Sequence, residues 1–292
     1  MALDKPLNLT FLQGNTYSNN IQSIDDLKQQ VKELEKKINS KEKAYKDLIA
    51  FNELAVSGEA SIALEWVSKA HKERYLTYLA DSSGSDKGFS KHLYTTIYQE
   101  FIDPLKVKHL LEIGLLCHAD QRALGGGNKF NKAPSLDMWC KYLPNTEIFG
   151  FDIQDFTEAE GCWKAFIQGD QSSRKDLAKI LNLQNSFDVI IDDALHASKH
   201  QQITFSYLFK NVKSGGLYII EDLHYQPFDE SEELKTLDLL KALDWTGSWN
   251  SRHALDDEKE YIEKNIDEVM FFDSLKFPRL TSRDAICVIR KK

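Results

Sequence analysis

Five short apolar runs, each set between stretches of helical texture, constrain this 292-residue chain more than any other feature. They are His109-Leu-Leu-Glu-Ile-Gly114, Glu147-Ile-Phe-Gly-Phe-Asp-Ile153, Ala165-Phe-Ile-Gln168, Phe187-Asp-Val-Ile-Ile-Asp192 and Gly216-Leu-Tyr-Ile-Ile-Glu221. Several are apolar through their whole centre instead of alternating, which suits parallel strands covered on both faces, and the intervals between them have room for crossover helices. The pattern predicts a doubly wound α/β sheet. After a polar helical region, 229–267, two further runs predict a closing pair of strands at one sheet edge, one of them antiparallel: Glu268-Val-Met-Phe-Phe-Asp273 and Asp284-Ala-Ile-Cys-Val-Ile289.

Upstream of the sheet, Ser23 followed by Asp26 reads as a helix N-cap with an acid at the third helical position. The apolar residues Ile24, Leu27, Val31, Leu34 and Ile38 then recur at spacings of 3, 4, 3 and 4. Tyr45 and Leu48 continue the register and Lys41 interrupts it. This is a candidate coiled coil over about 23–54, which predicts a homo-oligomer, most simply a dimer. An amphipathic helix folded onto its own domain is the alternative. A second helical stretch, 59–80, ends in the loop Asp81-Ser-Ser-Gly-Ser-Asp-Lys-Gly88, so the chain divides into a helical leader, 1–84, and a sheet domain, 85–292.

Apolar residues at 42% and charged residues at 28% describe a folded, water-soluble chain. Lys and Arg number 37 against 45 Asp and Glu, a net charge of −8 with no basic cluster, which argues against nucleic acid as a partner. The start of the chain lacks the basic and apolar regions of a signal peptide, and no run is long and apolar enough to span a membrane. The four cysteines, Cys117, Cys140, Cys162 and Cys287, form no CxxC pair. A cytoplasmic protein with reduced thiols is the expectation.

In open α/β sheets ligands bind beyond the carboxyl ends of the strands, so the polar residues that follow each run are the candidate site. The first run ends in Glu112-Ile-Gly114, where the glycine lets backbone approach a ligand; Glu112 reads equally as a buried polar residue closing a strand. The second ends in Asp152, placed to accept hydrogen bonds from two ribose hydroxyls, and the third in Gly169-Asp170-Gln171. Gly-x-Gly-x-x-Gly is absent and Asp152 falls later than the roughly 20 residues expected of a nicotinamide site, which makes NAD the weaker nucleoside candidate.

The fourth and fifth runs end in Asp192-Asp193-Ala-Leu-His196 and Glu221-Asp222-Leu-His224. Strands about 4.7–4.9 Å apart bring these four carboxylates within reach of one ion. Acids so close repel unless a divalent cation lets them stay ionised, and oxygen donors without cysteine favour Mg²⁺, Mn²⁺ or Ca²⁺ over zinc. The bland alternative is that these acids cap helices or bind lysines. His196 is the candidate general base, because imidazole takes a proton near neutrality. His200, four residues on, reads as a packing residue, and His224 as either substrate-facing or solvated.

These residues carry a resemblance. Ser85-Asp-Lys-Gly88 with His92 and Tyr98, then Leu-Glu-Ile-Gly114, Gly169-Asp-Gln171, Ile-Ile-Asp-Asp-x-x-His196 and Tyr-Ile-Ile-Glu-Asp-Leu223 resemble the class I S-adenosylmethionine-dependent methyltransferases that methylate sugar hydroxyls of macrolides and aminocoumarins. Cephalosporin-hydroxylase-like proteins are similar. The resemblance covers Ser85 to Gln226 and implies a Rossmann-like, mostly parallel seven-stranded sheet. It further implies Mg²⁺ on Asp193, Glu221 and Asp222, His196 as the base, and ribose on Asp152. The rest of the S-adenosylmethionine site would be Ser85, Lys87, Glu112, Gly114, Ile153, Gly169, Asp170, Gln171 and Asp192. The chain departs from the family's short turn after Gly114, where Leu115-Leu-Cys-His-Ala-Asp120 leads into Gly125-Gly-Gly127, and the leader before Ser85 has no match in the family pattern.

The expected activity is Mg²⁺-dependent methyl transfer to a sugar hydroxyl of a natural product or surface glycan, with acceptor contacts from the loop after Asp222 and from Trp245 and Trp249. A catechol or other vicinal-diol methyltransferase would use the same metal, and a noncatalytic scaffold that binds nucleoside or glycan is the rival from another class.

Overall fold

The computed structural model describes residues 75–115, 130–225, 234–273 and 285–292, all within the second of the chain's two compact units, Leu64–Lys292. The candidate coiled coil over 23–54, most of the 59–80 helix, Gly125-Gly-Gly127 and positions 226–233 after Asp222 lie outside the described residues.

Seven strands form one sheet in the order β3-β2-β1-β4-β5-β7-β6. β1 (His109–Ile113), β2 (Glu147–Asp152), β3 (Ala165–Gln168), β4 (Phe187–Asp192) and β5 (Val212–Ile220) run parallel. β7 (Ala285–Lys291) enters antiparallel between β5 and β6 (Ile266–Asp273), the expected closing pair. β5 starts at Val212, ahead of the apolar run, because the register shifts opposite Asp188 and Gly215, at φ +73°, carries the chain through the irregularity.

Strand residues alternate between two cores, as pleating requires. Leu110, Val189, Ile191, Leu217 and Ile219 pack under α1 (Tyr75–Ser83), α2 (Thr95–Phe101) and α3 (Pro134–Tyr142). Leu111, Ile113, Ile190, Tyr218 and Ile220 pack under α4 (Arg174–Leu183), α5 (Ser198–Leu208), α6 (Thr236–Thr246) and α7 (Asp256–Asn265). Local chemistry sets the helix ends. Pro134 opens α3, Ser173 caps α4 by accepting from the Asp176 N–H, and Gly247 at φ +74° stops α6. α1 runs on through Ser83, into the stretch expected to be loop.

Two expectations are corrected here. Trp249 is fully buried, its indole N–H donating to Ser206 Oγ at 2.9 Å and its ring edge-on to Phe205. It is therefore a core residue that locks the chain after α6 to α5; Trp245 is 88% exposed. The thiols are not all reduced: Cys140 on α3 and Cys162 between β2 and β3, whose Cα atoms lie 6.0 Å apart, form a disulfide, and Cys287 is free and buried. Among the described residues no helix is long and apolar enough to cross a membrane.

Candidate active site

The strand order reverses between β1 and β4, so the crevice at the carboxyl ends of these two strands is the place where the fold opens a ligand site. The same alternation that builds the cores sorts the acids. Glu112 lies on the face of Leu110, and continuing the alternation past the ends of β4 and β5 puts Asp193 and Glu221 on that face too, the one covered by α1 to α3. Asp192 falls on the opposite face. The first acidic doublet is thereby split, one carboxylate to each side of the sheet, whereas Asp222, left-handed at φ +52°, leaves the strand alternation and stays with Asp193.

Lys87 meets the three acids that share a face. Its ammonium lies 3.3 Å from Glu112 Oε1 and 3.0 Å from Glu221 Oε1, and pairs directly with Asp193 Oδ2. The side chain is 1% exposed. Burial pulls the ammonium's pKa down, but attraction from Asp193, Glu221 and Glu112 outweighs it and leaves Lys87 well above the ordinary lysine value. Burial raises Glu112 to about 7 against the pull of Lys87. Burial, with Asp193 beside it, raises Glu221 well above the ordinary range. Asp193 is the acid held low: Lys87 and then His196 overcome its desolvation.

Asp222 collects a second set of partners. Tyr94 donates to its Oδ1 at 2.6 Å, His92 Nδ1 stands 3.9 Å from the same oxygen, and the His92 and Tyr94 rings stack at 5.2 Å. His196 lies between the two acids, Nε2 at 3.6 Å from Asp222 Oδ2 and Nδ1 at 4.0 Å from Asp193 Oδ1. Ligand atoms of Asp193, His196 and Asp222 all fall within 4.8 Å of one another. The only non-glycine residues with left-handed backbone among the described residues are Leu93 at φ +60°, His196 at +61° and Asp222 at +52°. Two carry the constellation and the third joins His92 to Tyr94, which is the clustering of strain expected at a working site.

Beside this set, a narrow cleft is lined by Ser85, Lys87, Gly114, Leu115, Ser135 and Asp193. Gly114, at φ +90°, donates to the Phe151 carbonyl at 2.8 Å, and the space a side chain would need is filled by the Asp193–Ala194 backbone. The glycine is thus required first for one strand-end loop to rest on another. Asp152 is 6% exposed and accepts from the Leu115 N–H at 2.7 Å and the Gln154 N–H at 2.8 Å. Burial lifts its pKa and these N–H groups pull it back. Ile153, next in sequence, is 54% exposed.

The third strand end serves the opposite face. Gly169 leaves room for the Phe151 ring and Asp176 Cβ. Asp170 Oδ1 accepts from the Ser172 N–H and hydroxyl at 2.7 and 2.8 Å, which shapes the turn into α4. Gln171 donates to Asp192 Oδ1, and Tyr218 reaches Asp192 Oδ2 at 3.5 Å. Burial raises Asp192 to about 7.

Asp193, His196 and Asp222 are brought together as the sequence pattern predicts, whereas Glu221 turns its Oε1 to Tyr98 and Lys87 and so takes up the lysine-binding alternative. His200 stands outside the constellation. His224 faces Asp273 at 3.4 Å. Sequence reasoning missed Tyr94 altogether and Lys87 as the partner of the acids. Tyr94 and Tyr98, four residues apart shortly after Lys87, were the available signal.

No protein-family model matches the sequence. Over 89 residues, 30% of the chain and 22% of the relative, it is 39% identical to mycinamicin VI 2''-O-methyltransferase from Micromonospora griseorubida. Over 150 residues, 51% of the chain and 37% of the relative, it is 34% identical to 8-demethyl-8-alpha-L-rhamnosyl tetracenomycin-C 2'-O-methyltransferase from Streptomyces olivaceus. Among solved structures, MycE methyltransferase from the mycinamycin biosynthetic pathway, in complex with Mg and SAH, is 25% identical with a TM-score of 0.57, over 75% of this chain and 54% of that one. The matched stretch thus spans 22% and 37% of these two curated relatives' length. The fold is that of class I methyltransferases, and the matched stretch resembles sugar O-methyltransferases that act on glycosylated natural products.

Proposed function

We propose that this chain is an S-adenosylmethionine-dependent O-methyltransferase that methylates a sugar hydroxyl of a glycosylated natural product or surface glycan with the help of Mg²⁺. The observation that carries the reading is the convergence of Asp193, His196 and Asp222 beside the cleft lined by Gly114 and Leu115 at the switch point. Its resemblance to sugar O-methyltransferases points the same way. The residues suit both groups. Hard oxygen donors in excess of the single ammonium of Lys87 match Mg²⁺, and His196 Nδ1 is a buried nitrogen without a hydrogen-bond partner. Asp152 keeps acceptor capacity beyond its two N–H bonds, which suits ribose hydroxyls.

When bound, S-adenosylmethionine supplies an electrophilic methyl on its sulfonium, and Mg²⁺ lowers the pKa of hydroxyls it touches. The chain's own residues do the rest. Asp152 and the glycine at 114 set the cofactor end of the cleft. Asp193 and Asp222 would hold the cation, and Glu221, whose Oε1 is taken by Lys87 and Tyr98, would be the third acid beside it. His196, held between two carboxylates and edge-on to Tyr225 at 6.0 Å, takes the acceptor's proton. Alignment of the oxygen with the methyl supplies the remainder of the barrier lowering. A cytoplasmic setting and a homo-oligomer built through the leader are part of this reading.

The test is a turnover assay on a panel of glycosides, run with Mg²⁺ and after chelation. Asp193→Ala should lose metal-dependent turnover; full turnover by that variant after chelation would remove the metal from the reading. His196→Gln separates base from ligand. A base loses turnover with Mg²⁺ affinity intact, and a ligand loses both.

A further inference from the structure

We propose that Lys87 is a built-in counter-cation for the acidic rim. It holds the rim assembled in the absence of metal and competes with the divalent cation for it. The inference rests on the reading above that Asp193 and Asp222 bind that cation. Glu112, Asp193 and Glu221 stand at the ends of three adjacent parallel strands, β1, β4 and β5, on one face of the sheet. Among the described residues, Lys87 is the only lysine or arginine paired with any of the three. Three enclosed carboxylates with no cation near them would repel one another and pay the full cost of leaving water.

The lysine is delivered by a stiff loop. Its carbonyl accepts from the Thr95 N–H at 3.1 Å, the Leu93 N–H donates to the Gly88 carbonyl at 2.8 Å, and the Ser90 N–H donates to Asp81 on α1 at 3.1 Å. The segment that follows adds Tyr94 to Asp222 and Tyr98 to Glu221. Lys87 takes Asp193 Oδ2, while Oδ1 of the same carboxylate faces His196. Ammonium and divalent cation therefore draw on one acid from two sides. Removing the lysine leaves the metal as the remaining neutralising charge. It should weaken the metal-free protein and strengthen its grip on the metal, an opposition that a merely structural lysine does not produce.

The experiment is Mg²⁺ titration calorimetry with thermal melting on wild type, Lys87→Met, Lys87→Arg and Tyr98→Phe. Lys87→Met should melt lower without metal, recover most of the loss in saturating Mg²⁺, and bind Mg²⁺ about tenfold or more tighter. Lys87→Arg keeps the charge and Tyr98→Phe removes a neutral contact to the same Glu221, so both should stay within about threefold of wild type. Unchanged or weaker Mg²⁺ binding by Lys87→Met while wild type binds would overturn the proposal. Failure of that variant to fold at any Mg²⁺ concentration would do the same, since the metal is held to replace the ammonium. Absence of Mg²⁺ binding in both wild type and Lys87→Met would instead overturn the cation site itself.

Discussion

Replacing Gly114 with alanine should damage stability and the site together. An added Cβ would stand 2.5 Å from Asp193 C and from Ala194 Cα, and closer still to the Asp193 carbonyl oxygen. Ordinary contact begins at 3.4 Å, so the loop carrying Asp193 must withdraw by about 1 Å. Alanine at φ +90° adds backbone strain of about 1–3 kcal/mol, and overpacking costs about 1–3 kcal/mol more. At about 2–4 °C per kcal/mol for a domain of this size, the loss is roughly 5–20 °C in melting temperature. Displacing Asp193 by that distance from Asp222 and His196 should also cost about 100-fold in turnover. Thermal melting and Mg²⁺ calorimetry on the purified variant read both effects. A melting temperature within about 2 °C of wild type with unchanged Mg²⁺ affinity would refute the close packing of the two strand-end loops.

Asp192, held up to about 7 by burial, keeps in the folded state a proton that the unfolded chain releases near pH 4. Wild-type stability in EDTA therefore falls as pH rises toward 7, and Asp192→Asn, which cannot titrate, should gain on it by roughly 2–3 kcal/mol between pH 5 and pH 7 in urea melts; parallel curves would contradict the buried carboxyl. Trp249→Ala should cost about 3–5 kcal/mol through the cavity it leaves under α5, whereas Trp245→Ala should stay within about 0.5 kcal/mol, as denaturant titration will show. Deleting residues before Phe51 should lower the mass seen by light scattering while S-adenosylmethionine binding survives; an unchanged monomeric mass in both chains would remove the coiled-coil reading.

The strands were legible because burial on both faces of a parallel sheet writes an apolar run that no helix pattern imitates at that length, and their carboxyl ends then nominate Gly114, Asp152, Asp193 and Asp222 directly. The doublets misled in one respect. Pleating sends Asp192 and Asp193 to opposite faces, so four acids on one rim become two groups with different partners. Lys87 escaped because its pairing with Asp193 and Glu221 spans more than a hundred residues and leaves no local periodicity, and Tyr94 because a buried tyrosine reads as core until its hydroxyl is seen on Asp222. Trp249 and Cys140 follow the same logic: sequence spacing cannot say that an indole faces Phe205 or that Cys162 comes back to α3.

The proposal of methyl transfer to a sugar oxygen at the Asp193–His196–Asp222 rim is tested most directly by mass spectrometry of a glycoside panel incubated with the full chain and S-adenosylmethionine bearing a deuterated methyl group, with Mg²⁺ and with EDTA. The predicted result is a product carrying the intact labelled methyl on a sugar hydroxyl, lost in EDTA and lost in His196→Gln. Tight S-adenosylmethionine binding with no labelled product across the panel, or labelled product undiminished in EDTA and in Asp193→Ala, would contradict it.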